Sequence, residues 1–123
     1  MALTPNSLGC GIVCPFRFTS SQDFATAEGP TLVKSDLLEL VGIESGEVPW
    51  RPDLGTRLNR LRHRSNTQAL GALARVSVDQ AVSRYEPRIR VKSVSMPRPI
   101  DNKTEIHVEY QVSGKTDTAR SNF

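Results

Sequence analysis

The chain has 123 residues, 37% of them hydrophobic and 6% aromatic, with a formal net charge of +3. That length supports one modest core and leaves no room for two independent folding units, while the apolar content excludes a wholly disordered chain. No apolar run approaches the roughly 20 residues of a bilayer span, and no secretory signal order opens the sequence, so a cytosolic product with no membrane partner is expected.

Residues 1–9 are polar and turn-rich and read as a flexible arm. Ile12, Cys14, Phe16 and Phe18 alternate, which predicts an edge strand over 10–18 interrupted by Pro15. Cys10 and Cys14 would share one face of it and read as buried, inert thiols. No other cysteine exists, and His63 and His107 lie far off without ligand spacing, so neither a metal site nor any other cofactor is expected. Gly9-x-Gly11 is no nucleotide loop, since no strand precedes it and Cys14 stands where a third glycine belongs. Residues 19–29 read as a loop.

Pro30 suits a first helical turn, and Val33, Leu37, Leu40 and Val41 then recur at helical spacing, with Gly42 as the stop. Gly46, Pro49, Pro52 and Gly55 forbid regular structure through the next segment, where Trp50 reads as a packing anchor. Leu54, Leu58 and Leu61 predict a short helix running to Arg64, its arginines outward. Ser65 to Gln68 matches a capping box, opening a longer helix whose face is Leu70, Ala74, Val78, Ala81 and Tyr85. Pro87 disfavours helical geometry at Glu86 and ends it.

Beyond that point the period becomes two. Ile89 and Val91 share one phase and Val94 and Met96 the other, which predicts a bulge near Lys92 or Ser93. Residues 97–103 read as a loop. The next strand is the cleanest: Ile106, Val108, Tyr110 and Val112 alternate with Glu105, His107, Glu109 and Gln111. Antiparallel pairing would set basic Arg90 and Lys92 against acidic Glu105 and Glu109. Residues 113–123 read as a polar C-terminal tail, leaving the domain proper at 10–112.

Three landmarks come in a particular order: Gly9-x-Gly11 before Phe16 and the first helix, then residues 46–55 (Gly-Glu-Val-Pro-Trp-Arg-Pro-Asp-Leu-Gly), then Tyr85-Glu86-Pro87-Arg88-Ile89. This order resembles the lysozyme-like baseplate wedge, or sheath-initiator, family of contractile phage tails, R-type pyocins and type VI secretion systems, over residues 9–112. Two departures stand out. The family's Gly-Glu-Arg is Gly46-Glu47-Val48 here, and the apolar strand that follows a stretch like Ala119-Arg120-Ser121-Asn122 is expected to be missing or truncated.

The resemblance implies an α+β fold, two to three helices over one face of a small antiparallel sheet. It implies a structural baseplate protein, assembled in the bacterial cytoplasm and carried on a virion or injection particle in six copies. Its partners would be other wedge proteins, the tail sheath and tail tube or hub proteins. Glu86, Pro87 and Arg88 would face partner helices, with Trp50 and Arg51 nearby. Glu105, Ile106, His107, Val108, Glu109 and Tyr110 would form the sheet template on which sheath strands add. A small sheet with an open edge is marginal alone and can accept a partner strand, which suits that role without the family.

Two other readings are weaker. A glycosidase needs two acids about 5 to 9.5 Å apart across a sugar cleft. Glu47, Asp53 and Glu86 qualify by position only, and aromatics for stacking sugars are scarce. Residues 51–64 hold five arginines against Asp53, which could meet nucleic-acid phosphate. No aromatic interleaves with them, however, so a solvated face or an acidic protein partner is favoured. For Glu86 and Arg88 the residues alone leave an intrachain pair and a partner contact open; the resemblance favours the contact.

Overall fold

The computed structural model describes residues 8–13, 16–61, 68–97, 105–112 and 114–122. A short antiparallel ribbon of β1 (Cys10–Ile12) and β2 (Thr26–Glu28) leads into α1 (Gly29–Gly42). A strap containing a 3-10 helix (Leu58–Leu61) then reaches α2 (Gln68–Tyr85), and the chain finishes as a sheet of β3 (Arg90–Ser95), β4 (Glu105–Val112) and β5 (Lys115–Asn122). The α+β expectation holds: two helices lie over one face of that sheet, α1 on β5 and α2 on β3. The capping box and the residues after Leu61 lie outside the described residues.

Both helices form where their apolar spacing predicts. Pro30 occupies the first turn of α1, and Leu32, Val33, Leu37, Leu40 and Val41 are buried. On α2 the buried set is Leu70, Ala74, Val78, Ala81 and Val82. All of these except Leu32 meet Ile106, Val108, Tyr110 and Val112 of β4 and Ala119 of β5 in one core. Full burial of each such aliphatic side chain contributes about 1.5–3 kcal/mol, so these stripes, rather than helix propensity, hold the layers together. Tyr110 is buried in this core, and its hydroxyl reaches the rim, where it donates to exposed Asp117 Oδ2 at 3.4 Å. Burial first, and the Asp117 charge second, push its pKa up to about 12.

The bulge falls between Val91 and Ser93. It changes the cross-strand partners: Arg90 lies opposite Gln111, and Ser93 opposite Glu109, to which its hydroxyl donates at 3.0 Å. The expected array of opposite charges is therefore replaced by one hydroxyl–carboxylate bond. The larger departure is β5. Residues 115–122, read as a polar tail, pair with β4 along their whole length, Val112 with Lys115 through to Glu105 with Asn122. Gly114, at φ +81, supplies the reversed turn a tight hairpin needs. Three smaller departures lie near the N-terminus. Leu8 belongs to the core rather than a free arm, Thr26–Glu28 is a strand rather than loop, and Cys10 is exposed rather than buried.

The strap is fastened across its own base. Thr56 N–H donates to the Ile43 carbonyl at 2.9 Å, Ser45 N–H to the Thr56 carbonyl at 2.9 Å, and the buried Thr56 hydroxyl to the Val41 carbonyl at 3.1 Å. Gly55 makes that closure possible: its φ is +105, and a Cβ there would stand 2.3 Å from the Ile43 carbonyl oxygen. Gly55→Ala should therefore destabilise the protein by about 2–4 kcal/mol, adding left-handed strain to overpacking against backbone. Urea unfolding of the variant checks this; a loss below about 0.5 kcal/mol, the size of an ordinary surface change, would contradict it.

Candidate partner-binding surfaces

Glu86 follows α2 directly and is only 6% exposed. Its two carboxylate oxygens accept from Nε and Nη2 of Arg88, the latter at 2.8 Å. Arg88 Nη2 also donates to Asp36 Oδ2 of α1 at 2.8 Å, and Nη1 donates to the Leu8 carbonyl. Bonding to Glu86 is the main cause that raises the Arg88 pKa above its already high ordinary value. The junction thus ties the exit of α2 to α1 and to the N-terminal segment. The residues alone left an intrachain pair and a partner contact open, and the intrachain pair is present. Pro87, exposed between them, is the member left facing solvent.

Trp50 is 82% exposed, so it anchors nothing within the chain. The guanidiniums of its neighbour Arg51 and of Arg84 lie over the Tyr85 ring, at 5.3 and 5.6 Å from its centroid. Arg51 and Glu86 line the same small hollow of about 250 Å³ with Asp36, Glu39 and Tyr85. The strap and the junction are therefore neighbours, although the sequence separates them by 35 residues.

The third set divides by strand face. Ile106, Val108 and Tyr110 are buried under the helices. Glu105, His107 and Glu109 are half-buried on the far face. There His107 Nε2 lies 3.1 Å from Glu105 Oε1 without hydrogen-bond geometry. More consequential is position: β4 is the middle strand, with β3 on one side and β5 on the other. Its ladder amides are taken, so β4 cannot itself accept an added strand, and that expectation moves to the edges.

The three candidate acids are committed elsewhere. Glu47 Oε2 accepts from the Glu44 amide at 3.0 Å within its turn, Asp53 pairs with Arg84 at 3.0 Å, and Glu86 is held by Arg88. Among the described residues no group of His, Cys, Asp or Glu is placed to hold a metal ion, and no helix is long and apolar enough to cross a membrane.

The family described as "Baseplate wedge protein gp25" matches residues 27–117, which span both helices, β3, β4 and the start of β5. The chain belongs to this family. As a gp25-type wedge protein its role is structural, a component of a contractile baseplate. No curated protein matches the sequence. Among solved structures, a chain of the anti-feeding prophage baseplate is similar at TM-score 0.71 and 21% identity, over 97% of this chain and 87% of that one. A chain of the post-contraction pyocin R2 baseplate gives 0.58 and 18%, over 88% and 96%. A Geobacter sulfurreducens protein solved under the description of a tail lysozyme gives 0.61 and 23%, over 74% and 86%. At these identities the likenesses establish the shared fold.

Sequence reasoning missed two features of this wedge protein. One is β5, for which the Ser113-Gly114 pair between two extended runs was the available signal. The other is a cluster of exposed phenylalanines beyond the ribbon, Phe16 and Phe18 flanking Phe24 at centroid distances of 5.9 and 5.0 Å.

Because the Glu86–Arg88 pair is internal, its loss should be read in folding. Glu86→Ala and Arg88→Ala should each lower stability by about 2–3 kcal/mol, below the usual cost of orphaning a buried charge because Arg88 keeps 30% of its side chain in water. Thermal and urea unfolding of the isolated protein measure this. Melting curves superimposable on wild type would return the pair to a partner-facing role.

Proposed function

We propose that this wedge protein is a non-catalytic link, bound to other baseplate proteins at its strap and junction, that starts the first ring of sheath at its sheet edge. The observation that carries this reading is the condition of β5. It is an eight-residue strand in unbroken register with β4, and among the described residues no strand pairs its outer side. The opposite edge, β3, is bulged, a feature that blunts an edge against strand addition. A closing pair of Val112 and Lys115 across a two-residue connection alternates the ladder so that the amides of Thr116, Thr118 and Arg120 point away from β4. In agreement, the Thr118 amide donates to the Asp117 carboxylate at 2.7 Å rather than to β4. Free edge amides give an added strand its affinity, and the alternating side chains set its register.

Other features support the remaining parts. An exposed Trp50 beside Arg51 has the composition of an interface anchor. The engagement of Glu47, Asp53 and Glu86 in turn and arginine contacts supports a protein without glycosidase activity. The six-fold symmetry reported for the anti-feeding prophage baseplate supports six copies around the tail tube.

Proline tests the edge without touching the core. Thr116→Pro and Arg120→Pro each remove an outward amide and leave the β4 ladder intact. Both variants should fold and enter baseplates, yet sheath polymerisation should fail, as seen by electron microscopy of particles. Normally sheathed particles carrying either folded variant would refute the edge as template.

A further inference from the structure

The face of α2 turned away from the core carries a second apolar stripe. Leu73 and Val76, 50% and 52% exposed, sit one turn apart on it. They open onto a groove of about 550 Å³ between α2 and the strap, whose floor continues through Leu61 and Ala81. Its rim carries Arg57, Arg60 and Arg84 against a single carboxylate, Asp53, which Arg84 already binds at 3.0 Å. Arg60 makes only a loose, exposed pair with Glu44 at 3.8 Å, and Arg57 has no carboxylate partner among the described residues.

We propose that this groove seats an acidic amphipathic helix of another baseplate protein. The proposal rests on the baseplate reading above and adds to it a site and the chemistry of its occupant. Charge decides the sign: an apolar floor with unneutralised arginines along one rim favours a partner whose apolar stripe is flanked by Asp or Glu. Backbone chemistry decides the form. One wall is the helix α2 and the other the strap, and among the described residues neither contains a strand, so no sheet edge lies there to receive one. An occupant must therefore satisfy its own backbone, as a helix does. The length fits as well, since Leu73 to Arg84 runs about 16 Å along α2, three turns of a docked helix. A nucleic acid would match the arginines but would leave Leu73 and Val76 against phosphate or sugar.

The test uses the full chain and three labelled probes: a helical peptide of about 18 residues with Leu at i, i+3, i+4 and i+7 flanked by Glu, the same peptide with Lys for Glu, and a DNA duplex of similar length. Fluorescence anisotropy should show the acidic peptide binding, weakening with added salt, and binding about tenfold more weakly to Leu73→Ser and to the double variant Arg57→Glu, Arg60→Glu. Melting curves confirm that both variants fold. Equal binding of the acidic and basic peptides, unchanged binding by both variants, or a preference for DNA through the same arginines would overturn the proposal. Incorporation into particles separates the two readings. If the double variant enters baseplates as wild type does, the groove proposal fails alone; if wild type itself is absent from baseplates, the baseplate reading fails and takes the groove with it.

Discussion

The guanidinium of Arg88 is where separate parts of the chain are made to agree. Three residues after α2 ends, it grips Glu86 with two donors, reaches Asp36 on α1 with a third contact, and holds the Leu8 carbonyl with Nη1. Pro87 keeps the chain extended between the acid and the base, so neither can drift back into the helix. Once that knot is tied, the angle between the two helices and the launch of β3 are fixed together. The strap is then held against the same corner by Arg51 over Tyr85 and by Gly55 against Ile43.

What the knot positions is a three-stranded sheet with an asymmetric pair of edges. Helices cover one face, and the middle strand is sealed on both sides, so only β3 and β5 could meet another chain through their backbones. The bulge at Val91 and Ser93 spoils one of them, and the even ladder with β4 preserves the other. The arginine-rimmed groove lies on the far side of α2, away from this edge. A protein built this way can be held by one surface while offering a second, which is the geometry a link between baseplate and sheath requires.

Much of this was legible in the sequence wherever burial enforced a period. The stripes of α1 and α2 and the alternation of β4 were readable because each faces the core on one side and water on the other. The bulge was readable because a phase slip moves apolar residues to the wrong face. β5 was not, for a physical reason: its inward positions are Lys115, Asp117, Ala119 and Ser121, of which only Ala119 is apolar. The strand exists because Gly114 turns it onto β4 and because Asp117 answers Tyr110 and Lys34, not because it carries a pattern of its own. That omission misdirected the site assignment, since a β4 thought to lie at the edge became the supposed template. For the junction, sequence could name Glu86 and Arg88 but not their direction. Asp36 and Leu8, which Arg88 also binds, are 50 and 78 residues from Glu86 and belong to no motif. Trp50, between Pro49 and Arg51, carried no periodic signal to tell buried from exposed.

The central claim, that the outer edge of β5 is the sheath template, is tested most directly by amide hydrogen exchange on isolated protein, bare baseplates and sheathed particles. The account predicts that the amides of Thr116 and Arg120 exchange rapidly in the first two states and become protected only when sheath is added. Protection that arises instead along β3, or no change at Thr116 and Arg120 on sheathing, would contradict it.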